Sequence, residues 1–155
     1  MTTPESFSRR HLIAGAAAFA SGGVGVASAA DPEPIEQPET PNPPTFMARA
    51  FRERHDADSQ GDQPYGAVVV LGARIIGKAG SRVVRDRDPT AHAELLAIRD
   101  ALKRTGANTL KGAVLYSSSR ACPMCEAAAY FAGVSKLVYG RARDDEGAPQ
   151  LCRKI

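Results

Sequence analysis

Apolar positions change their spacing several times along the chain, and each change marks an element. Thr45, followed by Phe46, Ala48, Ala50 and Phe51, predicts a capped amphipathic helix to about Arg54, closing in the polar stretch 56–62. Pro64-Tyr65-Gly66-Ala67-Val68-Val69-Val70-Leu71 is rich in β-branched residues, and a second strand-like run at 74–79 comes after Gly72-Ala73, so the two predict a hairpin. The charged segment 80–88 reads as loop and ends at Asp88-Pro89-Thr90, where proline disfavours helix before it and Thr90 can cap the next helix. Leu95, Ile98, Ala101 and Leu102 share one face of that helix over 91–104, stopped by Gly106. A short strand at 113–117, an Ala-rich helix at 122–132 closed by Gly133, and a strand at 136–139 complete the pattern. Helix, hairpin, helix, strand, helix, strand is the order of a layered α/β domain whose sheet is at least partly parallel.

The first 45 residues obey different rules. Ser8-Arg9-Arg10-His11-Leu12-Ile13 opens an Ala- and Gly-rich apolar stretch to Ala27 with no charge inside it, and Ala27-Ser28-Ala29 stands just before Ala30. That layout predicts a cleavable export signal over residues 1–29, and the arginine pair gives it a twin-arginine character. The run is short for a membrane span, and Gly22, Gly23 and Gly25 weaken it as a helix, so no stable span is expected. Residues 30–45 carry Pro32, Pro34, Pro38, Pro41, Pro43 and Pro44 among acids, which predicts a semi-extended linker. The folded domain is expected over 46–155.

Composition narrows the functional classes. The 155 residues, 43% hydrophobic and 24% charged, suit one domain with a modest core. The net charge is +3, and removing the first 29 residues with Glu5, Arg9 and Arg10 leaves +2. So mild a balance lends no support to a nucleic-acid partner. Three cysteines are too few for a disulfide scaffold; Cys122 and Cys125 have metal or redox spacing, while Cys152 reads as a free thiol.

His92-Ala93-Glu94 starts one predicted helix and Cys122-Pro123-Met124-Cys125 starts the next. Imidazole and thiolate are preferred zinc ligands, and three of them leave a fourth tetrahedral position open, the mark of a catalytic rather than a structural site. Cysteines three apart in a first helical turn point to one side, where unpaired N–H groups and the helix dipole favour thiolates. Glu94, two residues from His92, sits roughly 200° around an ideal helix from it. It therefore flanks the metal instead of ligating it. Two thiolates neutralise the ion and weaken it as a Lewis acid, so an attacking water needs a carboxylate to take its proton, and Glu94 supplies one. Singly, His92 reads as a helix cap, the cysteines as a redox pair and Glu94 as a dipole partner. Together they form the H-x-E and C-x-x-C signature of zinc deaminases.

At these residues the chain resembles the cytidine deaminase superfamily, in the branch of guanine deaminases and tRNA adenosine deaminases. The resemblance is carried by Asp88-Pro89-Thr90-Ala91-His92-Ala93-Glu94, Cys122-Pro123-Met124-Cys125, Pro64-Tyr65-Gly66-Ala67 and Val138-Tyr139-Gly140. It implies a three-layer α/β/α fold with a mixed sheet of about five strands, one zinc per subunit and a homodimer. It also implies that His92, Cys122 and Cys125 are ligands, that Glu94 shuttles the proton, and that Tyr65, Ser81 and Ala93 adjoin the substrate. Three departures stand out. Arg120-Ala121 replaces the usual Glu-Pro before the first cysteine, Ser81 replaces the usual substrate-contacting Asn, and little chain is left for a pocket-closing C-terminal segment.

The expectation is an exported, periplasmic enzyme that releases ammonia from a free nucleobase, nucleoside or related amino-heterocycle, of guanine or cytosine type. A tRNA adenosine deaminase is the first alternative, and a zinc-binding protein with altered catalysis the second.

Overall fold

The computed structural model describes residues 33–140, 144–147 and Pro149; residues 1–29, where the sequence predicts an export signal, and Cys152 lie outside the described residues. The elements are α1 (Pro43–Ser59), β1 (Gly66–Leu71), β2 (Arg74–Gly80), α2 (Ala93–Thr105), β3 (Val114–Ser117), α3 (Pro123–Phe131), β4 (Lys136–Tyr139) and β5 (Asp144–Gly147). They build one five-stranded sheet in the order β2-β1-β3-β4-β5. Only β3 and β4 pair in parallel, joined by the α3 crossover, while β1–β2, β1–β3 and β4–β5 are antiparallel, so the sheet is mixed as expected.

Alternation along the strands creates the layers. Val68, Val70, Tyr116 and Val138 turn to one face and form a core with Phe46, Met47 and Ala50 of α1. Their neighbours Ala67, Val69, Leu115 and Leu137 turn to the other face and pack with Ala93, Ala97, Ile98 and Ala101 of α2 and Ala129 of α3. With both faces covered, β1 reads as a nearly unbroken buried run. The result is the α/β/α arrangement.

Several boundaries differ from the sequence reading. α1 is capped by Asn42 and not by Thr45: Asn42 Oδ1 accepts from Thr45 N at 2.9 Å, and Thr45 Oγ1 accepts from Asn42 N at 3.1 Å. Pro43 and Pro44 looked like linker, yet proline is suited to a helix's first turn, where its missing N–H costs nothing. α1 also runs past Arg54 to Ser59. Strand β5 was invisible in the pattern because Asp144-Asp145-Glu146-Gly147 has no strand propensity; its backbone pairing with β4 makes it.

The linker reading of 30–45 is also corrected where it is described. Gln37 Nε2 donates to Ile75 O at 2.9 Å and its Oε1 accepts from Ile75 N at 2.8 Å, so one side-chain amide stands in for a neighbouring strand on the outer edge of β2. Lys78 N donates to Asp100 Oδ2 of α2 at 3.0 Å, covering a second edge group. Ile35 packs on the α1-side core, and Glu36 accepts from Arg52 at 3.2 Å. The segment is thus a strap that closes an otherwise open sheet edge.

Helix-to-sheet distance is set by glycines. A Cβ at Gly66 would strike the α1 backbone at Ala50, Glu53 and Arg54, and one at Gly77 would strike the backbone of Ala97 and Ala101 in α2. Gly66→Ala and Gly77→Ala should each destabilise the domain by about 1–3 kcal/mol through overpacking, seen as a lower urea midpoint with unchanged slope.

Candidate active site

The starts of α2 and α3 meet at one end of the sheet. His92 is the N-cap of α2, with φ −70° and ψ 147°, and Cys122 is the N-cap of α3, with φ −72° and ψ 164°. Neither side chain caps its own helix, which leaves imidazole and thiol free to turn towards each other. The cap expected from Thr90 is absent for the same reason: the helix begins two residues later, and Thr90 bonds Asp88 Oδ1 through its N–H at 2.8 Å and its hydroxyl at 2.7 Å.

His92 Nδ1 lies 3.6 Å from Cys122 Sγ and 3.6 Å from Cys125 Sγ. The three donor atoms all lie within 4.8 Å of one another. A tetrahedral ion with M–S of about 2.3 Å and M–N of about 2.0 Å separates nitrogen from sulfur by roughly 3.5 Å. The donor set therefore fits one ion of zinc's size, held through Nδ1 and two sulfurs. Among the described residues these three are the group of His, Cys, Asp and Glu placed to hold a metal.

Glu94, in the first turn of α2, is 5% exposed. Its Oε1 accepts from the Ser117 hydroxyl at 2.7 Å, and its Oε2 lies 3.6 Å from Cys125 Sγ. The carboxylate thus borders the donor set without joining it, as the helical spacing predicted. Cys125 is fully buried, and burial first, then the Glu94 and Cys122 charges, push its thiol well above the usual range. The favourable dipole at the start of α3 does not offset this; a bound cation is what would hold Cys125 as thiolate.

The three residues assigned to substrate by resemblance fare differently. Ser81 is 2% exposed and spends its hydroxyl proton on Asp62 Oδ1 at 2.8 Å, so it cannot take the role of the family's Asn. Ala93 is wholly buried in the α2-side core and can offer a substrate only its N–H, a first-turn donor without an intrahelical partner. Tyr65 is exposed, and its carbonyl accepts from Ser81 N at 3.0 Å. It stands on the rim where Gly66 N donates to Ser118 Oγ at 3.0 Å. Arg120 is exposed on the loop leading to Cys122.

Two residues escaped the sequence reading. Ser117 was read only as a strand end, although the run Ser117-Ser118-Ser119 closing a buried strand was the available signal. Asp62 was taken for a polar loop residue. Its Oδ1 accepts from Gln63 N and Ser81 Oγ, both at 2.8 Å, and its Oδ2 from Val84 N at 3.1 Å and Arg85 N at 2.9 Å. Burial opposes its ionisation, but those donors, Arg85 N foremost, prevail and hold its carboxyl at about 2. Asp62 thereby anchors the loop that delivers His92 to the site.

A three-layer domain with H-x-E and C-x-x-C at the starts of neighbouring helices is the arrangement of the cytidine deaminase-like class. The crystal structure of guanine deaminase from Bacillus subtilis shares the fold, with a TM-score of 0.62 and 40% identity over 64% of each chain. The chain belongs to the MafB19-like deaminase family, whose sequence model matches residues 42–152. It is 42% identical over 102 residues to a tRNA-specific adenosine deaminase of Agrobacterium fabrum, covering 66% of each chain. It is 39% identical over 105 residues to the guanine deaminase of Bacillus subtilis, covering 67% of each. The chain thus spans just under two thirds of the length of the Agrobacterium relative.

Asp62→Asn should speed hydrogen exchange at Val84 and Arg85 and lower stability at neutral pH. The wild-type carboxyl is depressed from 3.8 to about 2, so its contribution is complete above pH 3.8 and is lost as pH falls through about 2. The stability gap between wild type and variant should accordingly close across that interval in acid titrations.

Proposed function

We propose that this protein is a zinc-dependent hydrolytic deaminase acting on a free nucleobase, nucleoside or related amino-heterocycle, of guanine or cytosine type. The observation that carries the reading is the buried Glu94 carboxylate, with one oxygen held by Ser117 and the other beside the His92, Cys122 and Cys125 donor atoms. A structural metal site has no use for such a carboxylate, which also weighs against a zinc-binding protein with altered catalysis.

Zinc bound by these three residues would supply the Lewis acidity that makes water nucleophilic at neutral pH. Glu94 Oε2 accepts the proton released as water attacks the amino-bearing carbon. Glu94 then returns a proton to the ring nitrogen and carries the second to the departing amine. In sum, water and the amino-heterocycle give the carbonyl compound and ammonia. Burial of Glu94 and Cys125 keeps this transfer away from bulk solvent, where each electrostatic interaction would be weaker.

The substrate assignment draws on the guanine deaminase relative; the adenosine deaminase relative favours a second reading, deamination of a tRNA base. The Arg9-Arg10 signal supports export to the periplasm, where tRNA is not available, and so favours the first. Folding before export would let zinc bind inside the cell and shield Cys122 and Cys125 from oxidation outside. Two copies of the chain are expected to form the active unit. Among the described residues no helix is long and apolar enough to cross a membrane.

Purified zinc-loaded protein should release ammonia from at least one of guanine, cytosine, adenine and their nucleosides. Glu94→Gln should keep zinc and lose activity by about a hundredfold or more, the usual size of an acid–base contribution. A folded, zinc-loaded chain inert towards all of them would refute the free-substrate reading. Cell fractionation should find the protein in the periplasm, and replacing both Arg9 and Arg10 with Lys should retain it in the cytoplasm. Cytoplasmic wild type would restore the tRNA reading.

A further inference from the structure

Ser117 ends β3, the central strand of the sheet, and its backbone is held from both sides. It pairs with Ala67 of β1 and Tyr139 of β4, and its carbonyl accepts from Gly140 N at 3.1 Å. Its hydroxyl oxygen accepts from Ser119 N at 3.4 Å, so the single hydroxyl proton has one partner, Glu94 Oε1 at 2.7 Å. Ser117 is 3% exposed and Glu94 5%, which leaves no bulk water to replace that bond.

Glutamate has three side-chain torsions, and the last is broad, so helix placement alone does not aim its carboxylate. The bond from the sheet does. With Oε1 engaged, Oε2 is the oxygen left on the side of Cys125 Sγ, 3.6 Å away. We propose that Ser117 is a positioning residue for proton transfer: it pins Glu94 Oε1 to the central strand and so leaves Oε2 as the sole proton carrier beside the metal-ligating residues. The inference rests on the deaminase reading of the same site.

The contrast with two other buried acids, Asp62 and Glu53, supports this division of labour. Both oxygens of Asp62 are taken by donors, and Glu53 is tied to Arg49 at 2.9 Å and Lys78 at 3.2 Å. Those carboxylates serve the fold. Glu94 alone among the three is anchored by one oxygen while the other faces the sulfur of a candidate ligand.

The test uses the full chain, zinc-loaded, with Ser117→Ala and Ser117→Thr. In Ser117→Ala, zinc should stay at one per chain and KM should hold within about twofold, while kcat falls about tenfold or more, since small misplacements of a catalytic group are costly. Ser117→Thr keeps a hydroxyl and should recover kcat to within about threefold of wild type. A crystal structure of zinc-loaded Ser117→Ala should show the Glu94 carboxylate turned or spread over several rotamers. Unchanged kcat in Ser117→Ala, an equal loss in Ser117→Thr, or an unmoved Glu94 would each overturn the proposal. If the wild type turns over no substrate, the deaminase reading fails on its own, and the Glu94 position in the Ser117→Ala crystal still decides for or against Ser117.

Discussion

α2 rests on the sheet with Gly77 set directly against the backbone of Ala97 and Ala101 and the small Ala101 side chain. Ala97 and Ala101 are fully buried there, and a single added methyl at Gly77 would meet backbone atoms of both. The closeness of that contact fixes how deep the helix lies, and therefore where its first residues emerge. His92 and Glu94 reach Cys122, Cys125 and Ser117 only because the helix start hangs over the end of β3 at that depth. Larger residues along the seam would lift α2 and carry the imidazole and carboxylate away together, because close-packed interiors transmit such shifts.

Polar groups then divide the work inside this frame. No buried side-chain nitrogen or oxygen among the described residues lacks a partner. Glu53 binds α1 to β2 through Lys78, and Asp62 gathers the loop between β2 and α2. Each of these acids offsets its burial with several donors, as buried charge requires. Cys125 is the exception, a thiol whose surroundings of low polarity and negative neighbours disfavour the thiolate. A cation bound by His92, Cys122 and Cys125 would offset that imbalance and hold the thiolate.

Substitutions around the shared centre bear on substrate choice. Ser81, where the resemblance expects an Asn, is short, buried and committed to Asp62. The chain shares its family and its helix-start motifs with deaminases, while the Ser81–Asp62 bond belongs to its own surroundings.

Much of the domain was legible before its structure. Seven of the eight described elements, all but β5, and the meeting of His92, Glu94, Cys122 and Cys125 were readable because ligand type, helix-start spacing and β-branched runs are local properties. The Asn42 cap was local too, but was hidden by two prolines that look like linker. What only the tertiary structure decided was long-range. Gln37 on the β2 edge, β5 beside β4, Asp62 under the loop at 81–85 and Ser117 behind Glu94 all depend on residues 19 or more positions apart, or on backbone pairing indifferent to side-chain type. Such contacts arise from strand register and helix depth, and neither is written in the neighbourhood of the residue that uses it.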